Sequence, residues 1–264
     1  MSSFDDTGLL LAYYGDDFTG STDVMEALSV SGLETVLFLE TPDAATLARF
    51  RGYRGVGLAG VSRSQSPEWM NEHLPAAFEW LKQTGARLCH YKTCSTFDSA
   101  PHVGSIGRAI DIGARVFPAP YVPVMAGAPS LGRYSLFGNL FAAAGDQVHR
   151  IDRHPTMSRH PVTPMDEADL RLHLSRQTAK SVAAFDILSL RAPDVEQRFT
   201  TLLDQEPEIV LFDVLDREAL EAVGRLLWRQ APAEQSFVAG SSGVEYALVE
   251  HWRAAGELPG RTEP

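Results

Sequence analysis

Cysteine is scarce in this chain, which has two cysteines, Cys89 and Cys94, among its 264 residues. Two thiols are too few for a disulfide scaffold or a four-thiolate zinc site. Residues 1–6 contain neither a basic region nor an apolar core, so we expect no signal peptide. The chain also lacks an apolar run long enough to span a bilayer. These absences predict a reduced, soluble, cytoplasmic protein.

Positive charge is scarce as well, since 23 lysines and arginines stand against 34 aspartates and glutamates. The resulting net charge of −11 argues against nucleic acid or an anionic membrane as the main partner. An acidic protein that binds an anionic small molecule needs a local group of cations. Arg63, Lys92 and Arg133 are the candidates for such a group.

The familiar phosphate-binding loops are missing too. The chain contains no Gly-x-x-x-x-Gly-Lys-[Ser/Thr] sequence, and no Gly-x-Gly-x-x-Gly follows a predicted strand. Residues 240–243 (GSSG) do not form a Gly-x-Ser-x-Gly nucleophile elbow, because Val244 occupies the last position. The sequence therefore identifies no ATP site.

Short apolar runs alternate with helix-like segments along most of the chain, which is 44% hydrophobic. The alternation predicts an α/β fold with a doubly wound, mostly parallel sheet and helices on both faces, in three layers. The predicted strands are residues 9–14, 35–39, 55–61, 87–91, 121–125, 182–188, 209–214 and 237–239. Cys89 and His90 fall within the fourth strand, so we assign them to core packing.

Two segments interrupt this alternation. Residues 117–135 are rich in proline and glycine, and residues 150–165 are rich in His, Arg and Pro. We expect ordered loops there, over a cleft or at a subunit contact, and a homodimer is one option. The separation of His154 and His160 suits no helical metal-binding pair, so we predict a structural or substrate-loop role and no metal site.

The most informative segment is residues 15–21 (GDDFTGS), which lies between the first predicted strand and a predicted helix. Ligands of open α/β sheets bind at this edge. The adjacent carboxylates of Asp16 and Asp17 must be satisfied there by donors, by a metal or by a substrate hydroxyl. The alternative is that Asp17 or Thr19 only caps the helix.

Further polar residues follow other strands, and the carboxyl ends of parallel strands share one edge of the sheet. Lys92 supplies a cation, and Ser95 and Thr96 behind it supply hydroxyl groups, which suits the carboxylate and neighbouring hydroxyls of a small sugar acid. Asp98 is a further candidate for binding it. The alternative is a Ser/Thr-rich turn capped by Asp98. Arg63 either clamps a carboxylate through two hydrogen bonds or is an ordinary surface arginine.

Gly240, Ser241 and Ser242 lie where the last predicted strand meets the final helix. Backbone N–H groups at a helix start can bind an anion, so these residues are candidates for substrate binding. The alternative is a tight strand-to-helix turn with no ligand.

Five segments resemble the four-carbon acid sugar kinase family. They occur in the family order and span nearly the whole chain: residues 15–21 (GDDFTGS), 62–68 (SRSQSPE), 91–99 (YKTCSTFDS), 160–165 (HPVTPM) and 240–248 (GSSGVEYAL). Such kinases have an N-terminal substrate domain and a C-terminal nucleotide domain, and this chain resembles the first. The resemblance implies that residues 1–255 are a sugar-acid binding domain, as one unit or as two lobes, 1–150 and 166–255. Residues 256–264 are polar and rich in Pro and Gly, as at the start of an interdomain linker.

The resemblance also implies an activity, the transfer of the ATP γ-phosphoryl group, with Mg²⁺, to the terminal hydroxyl of an erythronate, threonate or oxo-tetronate type acid. Asp16 or Asp17 would accept the hydroxyl proton, while Arg63 and Lys92 would hold the carboxylate. We expect the isolated chain to be inactive without a nucleotide-binding domain or chain. The alternatives are a non-catalytic sugar-acid binding module, one half of a two-chain kinase, or a hydrolase that uses the Asp pair with a metal.

Overall fold

A parallel β-sheet organises the fold. The computed structural model describes residues 8–230 and 235–258. Its strands, in chain order, are β1 (Leu11–Gly15), β2 (Thr35–Phe38), β3 (Gly55–Ala59), β4 (Leu88–Lys92), β5 (Val122–Met125), β6 (Arg133–Leu136), β7 (Asn139–Ala144), β8 (Gln147–Arg150), β9 (Val182–Phe185), β10 (Ile209–Phe212) and β11 (Ser236–Gly240). Eight of them form one sheet in the order β2-β3-β1-β4-β11-β5-β10-β9, and every pair in it is parallel.

Helices cover both faces of this sheet. They are α1 (Phe18–Ser29), α2 (Ala44–Ala48), α3 (Pro67–Gln83), α4 (Ile106–Val116), α5 (Leu170–Ser175), α6 (Ile187–Leu190), α7 (Val195–Leu203), α8 (Arg217–Gln230) and α9 (Gly243–Ala254). Side chains of α3, α4 and α5 pack on one face, and those of α1 and α6 to α9 pack on the other. The predicted three-layer, doubly wound α/β fold is confirmed.

Burial on both faces explains the apolar runs of the sequence. Strands β4 and β10 are buried at every position, as expected when helices cover both sides of a parallel sheet. Neighbouring side chains still point to opposite faces. Tyr14 packs in the core beneath α3, whereas Tyr13 packs in the core beneath α1.

The order of the strands creates a crevice at the carboxyl edge. The chain leaves β1 towards β2 on one side of the sheet and leaves β4 towards β5 on the other. Because β1 and β4 are neighbours, their outgoing connections diverge from each other. Such a switch point is where open α/β sheets bind ligands.

The segment between β5 and β9 contains three strands that were not predicted, and most of their residues lie between the two predicted loop segments, 117–135 and 150–165. Strands β6, β7 and β8 form a small antiparallel sheet there, with tight turns at Gly138 and Gly145, which both have positive φ. Asp213, at the end of β10, anchors this sheet. Its buried carboxylate accepts backbone N–H groups of Phe137, of Gly138 at 3.0 Å and of Ile187 at 3.1 Å.

Two predictions concern the ends of the chain: no signal peptide at the start and a linker at residues 256–264. Residues 1–6 and 259–264 lie outside the described residues, so the absence of a signal peptide and most of the linker stay predictions. Within the described part, Leu258 is buried and Arg54 Nη1 donates to the carbonyl oxygen of Glu257 at 3.2 Å. No helix in residues 8–230 or 235–258 is long and apolar enough to cross a membrane.

A buried histidine should make the stability of the fold depend on pH. His173, on α5, lies 2.8 Å from Ser99 Oγ, and burial lowers the pKa of its ring to about 4. The unfolded chain takes up this proton near pH 6.5, so the folded state loses stability as the pH falls from about 6.5 to 4. We expect the wild-type chain to lose about 3 kcal/mol over this window relative to His173→Gln, which cannot protonate.

Urea unfolding of both proteins between pH 4 and 7.5 measures this difference. Other titrating groups cancel when the two free energies of unfolding are subtracted. A difference that stays constant with pH would show that His173 is not held neutral.

Candidate functional site

Asp16 and Asp17 lie at the carboxyl end of β1, within the crevice. The backbone N–H of Asp16 donates to the carbonyl oxygen of Lys92 at 2.9 Å, and that of Arg63 donates to the carbonyl oxygen of Asp16 at 3.0 Å. Asp17 is the N-cap of α1, and its Oδ1 accepts the backbone N–H of Gly20 at 2.5 Å. The ends of β1 and β4 and the short turn at residues 62–64 are therefore tied together at one point.

Arg63 joins two carboxylates across this crevice. Its Nη1 donates to Asp17 Oδ2 at 2.5 Å, and its Nη2 donates to both oxygens of Asp98 at 3.0 and 3.1 Å. Asp98 also accepts the hydroxyls of Thr96 at 2.5 Å and Thr163 at 2.9 Å. The Arg63 guanidinium thus already makes three hydrogen bonds to these two carboxylates.

Lys92 is a second cation with a different environment. Its side chain is 3% exposed, and its Nζ is 3.5 Å from Asp23 Oδ2 on α1. Among the described residues, no acceptor forms a well-aligned hydrogen bond with this ammonium, in contrast to the guanidinium of Arg63. A Cβ at position 20 would lie 3.1 Å from Lys92 Nζ. Because Gly20 has no side chain, there is room for the ammonium beside it.

Two clefts meet at the Asp17–Arg63 ion pair. The larger has a volume of about 490 Å³, and its polar lining includes Thr19, Gly20, Thr22, Asp23, Lys92 and Ser95. The smaller has a volume of about 260 Å³, and its lining includes Asp16, Asp98, His160 and Thr163. Asp17 and Arg63 line both clefts and form the wall between them. The larger cleft has the size of a small-molecule site.

The two aspartates differ in electrostatics. Burial, reinforced by the neighbouring Asp17 charge, raises the pKa of Asp16 to about 7. Burial also opposes ionisation of Asp17, but hydrogen bonds from Gly20 and Arg63 outweigh it, and the pKa of Asp17 is lowered. Asp16 Oδ1 is buried and has no hydrogen-bond partner among the described residues. A carboxylate with a pKa near neutrality can exchange a proton at physiological pH.

The structure brings most of the predicted site residues together. Six of them line the clefts, namely Asp16, Asp17, Arg63, Lys92, Ser95 and Asp98. Thr96 lies behind them and supports Asp98. The linings of both clefts leave out Gly240, Ser241 and Ser242, which are fully buried.

Several residues of the site were not assigned from the sequence. Thr163 belongs to the segment 160–165, which carried the family resemblance, but it received no role of its own. His160, from the same segment, was predicted to have a structural or substrate-loop role, and it lines the smaller cleft. Three exposed apolar side chains, each more than half exposed, also line the smaller cleft: Phe18, Val61 and Val162. Asp23 is four residues after Thr19 and three after Gly20, which line the larger cleft with it, so helical spacing along α1 could have placed it there.

The arrangement combines a carboxylate that titrates near pH 7, a second cation and many hydroxyl groups. Such a site can hold an anionic, hydroxylated small molecule and take a proton from one of its hydroxyls. Within residues 8–230 and 235–258, no group of three or more His, Cys, Asp or Glu side chains could bind a metal ion.

Together, the fold and the clefts define a doubly wound α/β domain whose crevice has the size and polarity to hold a small polar molecule. The chain belongs to the family of sugar-binding N-terminal domains, whose model matches residues 11–248. This membership agrees with the resemblance to the substrate half of the four-carbon acid sugar kinases.

Comparisons with individual proteins support the same family. The chain is 57% identical over 252 residues to a 3-oxo-isoapionate kinase of Paraburkholderia graminis, covering 96% of this chain and 53% of that protein. It is 32% identical to a 3-oxo-tetronate kinase of Burkholderia multivorans, covering 96% of this chain and 56% of that protein. A crystal structure of a Haemophilus influenzae protein matches with a TM-score of 0.78 and 26% identity, covering 93% of this chain and 56% of that one. The chain thus spans about half the length of these relatives.

Proposed function

We propose that this chain is the substrate-binding part of an ATP-dependent kinase that phosphorylates the terminal hydroxyl of a four-carbon sugar acid. The observation that carries this proposal is the carboxyl of Asp16, whose pKa is raised to about 7, in the smaller cleft, which shares a wall with the larger cleft that holds the cation of Lys92. The names of the two kinase relatives both specify a 3-oxo sugar acid, 3-oxo-isoapionate and 3-oxo-tetronate, and a tetronate is a four-carbon acid.

Asp16 is the proposed base of this reaction. Its carboxyl lines the smaller cleft, and its pKa near neutrality suits a group that accepts a proton from a substrate hydroxyl. Asp17 is less suited, because its carboxylate already caps α1 and pairs with Arg63. We assign Asp17 to holding Arg63 and the start of the helix in place.

Lys92 is the proposed anchor for the substrate carboxylate. Its ammonium lines the larger cleft, whereas the guanidinium of Arg63 is shared by Asp17 and Asp98. We propose that Arg63 shapes the wall between the clefts, contributes positive charge to both and contacts the substrate from there. Ser95 would donate to a substrate hydroxyl. Gly240, Ser241 and Ser242 would support the crevice from beneath.

We place ATP and Mg²⁺ outside this chain. The relatives are about twice as long as the region they share with it, and the sequence contains no recognised phosphate loop. A nucleotide-binding domain or chain would bring ATP to the crevice and exclude water when it closes. The exposed Phe18, Val61 and Val162 beside the smaller cleft suit contact with such a partner. We expect the isolated chain to have no kinase activity.

Residues 1–255 are the proposed substrate-binding domain. Strands from residues 11–125 and from residues 182–240 alternate within the same sheet, which favours one unit over two separate lobes. The segment 256–264 would begin the connection to the nucleotide-binding part.

The direct test of the proposed function is ligand binding by the chain. Isothermal titration with D-erythronate, L-threonate and a 3-oxo-tetronate should give a saturable heat with at least one of them. Cys94 lines the larger cleft while Cys89 is fully buried, so a bound acid should also slow the alkylation of Cys94. Absence of heat and of Cys94 protection with all three acids, for a chain whose circular dichroism shows it folded, would refute the proposal.

The role of Lys92 has its own test. Lys92→Met should weaken binding of the acid about tenfold to hundredfold, because a hydrogen bond to a charged group is lost, and should leave the neutral alditol almost unaffected. Lys180→Met is the matched control. It removes the same charge from a surface residue that pairs with Glu208 at 2.9 Å. Equal losses for acid and alditol, or equal losses in both variants, would show that Lys92 does not read the carboxylate.

A further inference from the structure

A second ionisable cluster lies in the interior of the sheet, next to the crevice. His90 is on β4, two residues before Lys92, so the two side chains share a face of the sheet. Glu245 is in the first turn of α9, and the side chains of His90 and Glu245 are both fully buried. His90 Nδ1 is 2.5 Å from Glu245 Oε1, and His90 Nε2 is 3.1 Å from the carbonyl oxygen of Gly240. The function proposed above makes no use of these two residues.

The hydrogen bonds of this pair determine where its protons are. A carbonyl oxygen can only accept, so His90 Nε2 carries the proton of its bond to Gly240. His90 Nδ1 then either donates a second proton to the Glu245 carboxylate or accepts one from a protonated Glu245. A third arrangement, a neutral ring facing an ionised carboxylate, would put two acceptors 2.5 Å apart. Both allowed arrangements place one proton between the side chains and leave the pair without net charge.

The pair is connected to the crevice through the backbone. The carbonyl oxygen of Gly240 accepts a second hydrogen bond, from the backbone N–H of Thr93 at 2.6 Å. Thr93 directly follows Lys92, whose own carbonyl accepts the N–H of Asp16 at 2.9 Å. The ring of His90 therefore helps to hold in place the carbonyl oxygen of Gly240, which joins the end of β4 to β11.

We propose that His90 and Glu245 are a proton-sharing pair of positioning residues that hold the ends of β4 and β11 together and thereby orient Lys92 towards the larger cleft. This rests on the proposed function only in taking Lys92 as the carboxylate anchor. The hydrogen bond between His90 Nδ1 and Glu245 Oε1 lowers the cost of burying both side chains, although Glu245 Oε2 is buried without a hydrogen-bond partner among the described residues.

The test compares Glu245→Leu with Glu245→Gln in the full chain. Glutamine keeps a hydrogen bond to His90 Nδ1, whereas leucine removes it and frees the ring to turn. The control is Leu248→Ala, a loss of packing at another fully buried position of α9. The first readout is amide hydrogen exchange of Thr93, compared with Val210 in the distant strand β10. The second is the affinity for D-erythronate by titration calorimetry.

We expect Glu245→Leu to speed exchange at Thr93 about tenfold to hundredfold more than at Val210, as for the loss of one buried charged hydrogen bond. Glu245→Gln should behave like the wild type, and Leu248→Ala should speed both amides by the same factor. Affinity for D-erythronate should fall in Glu245→Leu and be restored in Glu245→Gln.

Several results would overturn the proposal. Equal acceleration of Thr93 and Val210 in Glu245→Leu would show that Glu245 contributes to overall stability only. Local loosening at Thr93 with unchanged erythronate affinity would break the link to Lys92. If the wild type does not bind erythronate, the affinity is measured with whichever of L-threonate and the 3-oxo-tetronate it binds. Binding of none of the three acids refutes the proposed function, while the exchange data still decide whether the pair holds the strand ends.

A second pair of variants covers the case in which Glu245→Leu does not fold. His90→Gln can still donate to the Gly240 carbonyl from a position close to Nε2, whereas the shorter His90→Asn cannot reach it. We expect faster Thr93 exchange in His90→Asn than in His90→Gln. The same rate in both would contradict a positioning role for the ring.

Discussion

Asp16→Asn is expected to lower the rate of phosphoryl transfer about 10²–10⁴-fold, because the substitution removes the proton acceptor and keeps the shape of the side chain. The measurement needs a complete kinase. A suitable one is a chimera in which this chain replaces the matching segment of the 3-oxo-isoapionate kinase of Paraburkholderia graminis. The loss should appear in kcat, and KM for the sugar acid should change little.

Asp17→Asn is the matched comparison in the same chimera. It makes the identical chemical change one residue away, at a carboxylate that binds Gly20 and Arg63. We expect this variant to raise KM and destabilise the fold while keeping more of kcat than Asp16→Asn. If Asp17→Asn loses more kcat than Asp16→Asn, the roles of the two aspartates are reversed.

The pH dependence of stability provides a second readout for Asp16. The folded chain keeps a proton on Asp16 up to about pH 7, whereas the unfolded chain releases it near pH 4. Wild-type stability should therefore fall as the pH rises through this window, by about 4 kcal/mol relative to Asp16→Asn at pH 8. Kinase activity should rise over the upper part of the same window, as the base ionises. A free-energy difference that is the same at pH 4 and pH 8 would contradict the raised pKa.

Gly104→Ala is expected to disturb the site by displacing the backbone of Arg63. Gly104 has a φ of +59°, and a Cβ there would lie 2.4 Å from the carbonyl oxygen of Arg63. The left-handed backbone alone costs about 1–2 kcal/mol for an alanine. Relief of the clash must also move the backbone of Arg63. We expect a loss of stability well above this backbone cost and a fall in sugar-acid affinity, measured by urea unfolding and titration calorimetry.

Gly145→Ala is a close control for this prediction. Gly145 has a φ of +63°, and a Cβ there would meet nothing within 4 Å. Its backbone cost should match that of Gly104→Ala, so the difference between the two variants isolates the contact with Arg63. Unchanged affinity in Gly104→Ala, or equal destabilisation of the two variants, would show that the placement of Arg63 does not depend on Gly104.

The parallel sheet could be predicted from the sequence because its strands are buried on both faces. Each of its eight strands overlaps one of the predicted apolar runs. Strands β6 to β8 could not be predicted in this way. They are short and partly exposed, and β8 is mostly exposed, so they have no continuous apolar run. Their position is set by the glycine turns and by Asp213, which is 75 residues from Gly138 in the sequence.

The site was predictable in its location and less so in its chemistry. The ends of parallel strands share one edge, so Asp16, Arg63 and Lys92 could be expected to converge. The sequence left open which aspartate is the base, because the answer depends on burial and on donors from distant segments. Arg63 is 46 residues from Asp17, and Glu245 is 155 residues from His90. No local pattern links such pairs, and His90 was assigned to core packing alone.

The wall between the two clefts has a thermodynamic consequence. Asp17 and Arg63 belong to both linings, and the same guanidinium also holds Asp98. A ligand in one cleft that takes over one of these hydrogen bonds of Arg63 weakens a contact that shapes the other cleft. Occupancy of the two clefts is then coupled, and the coupling is reciprocal. The first ligand changes the binding free energy of the second by the same amount as the second changes that of the first.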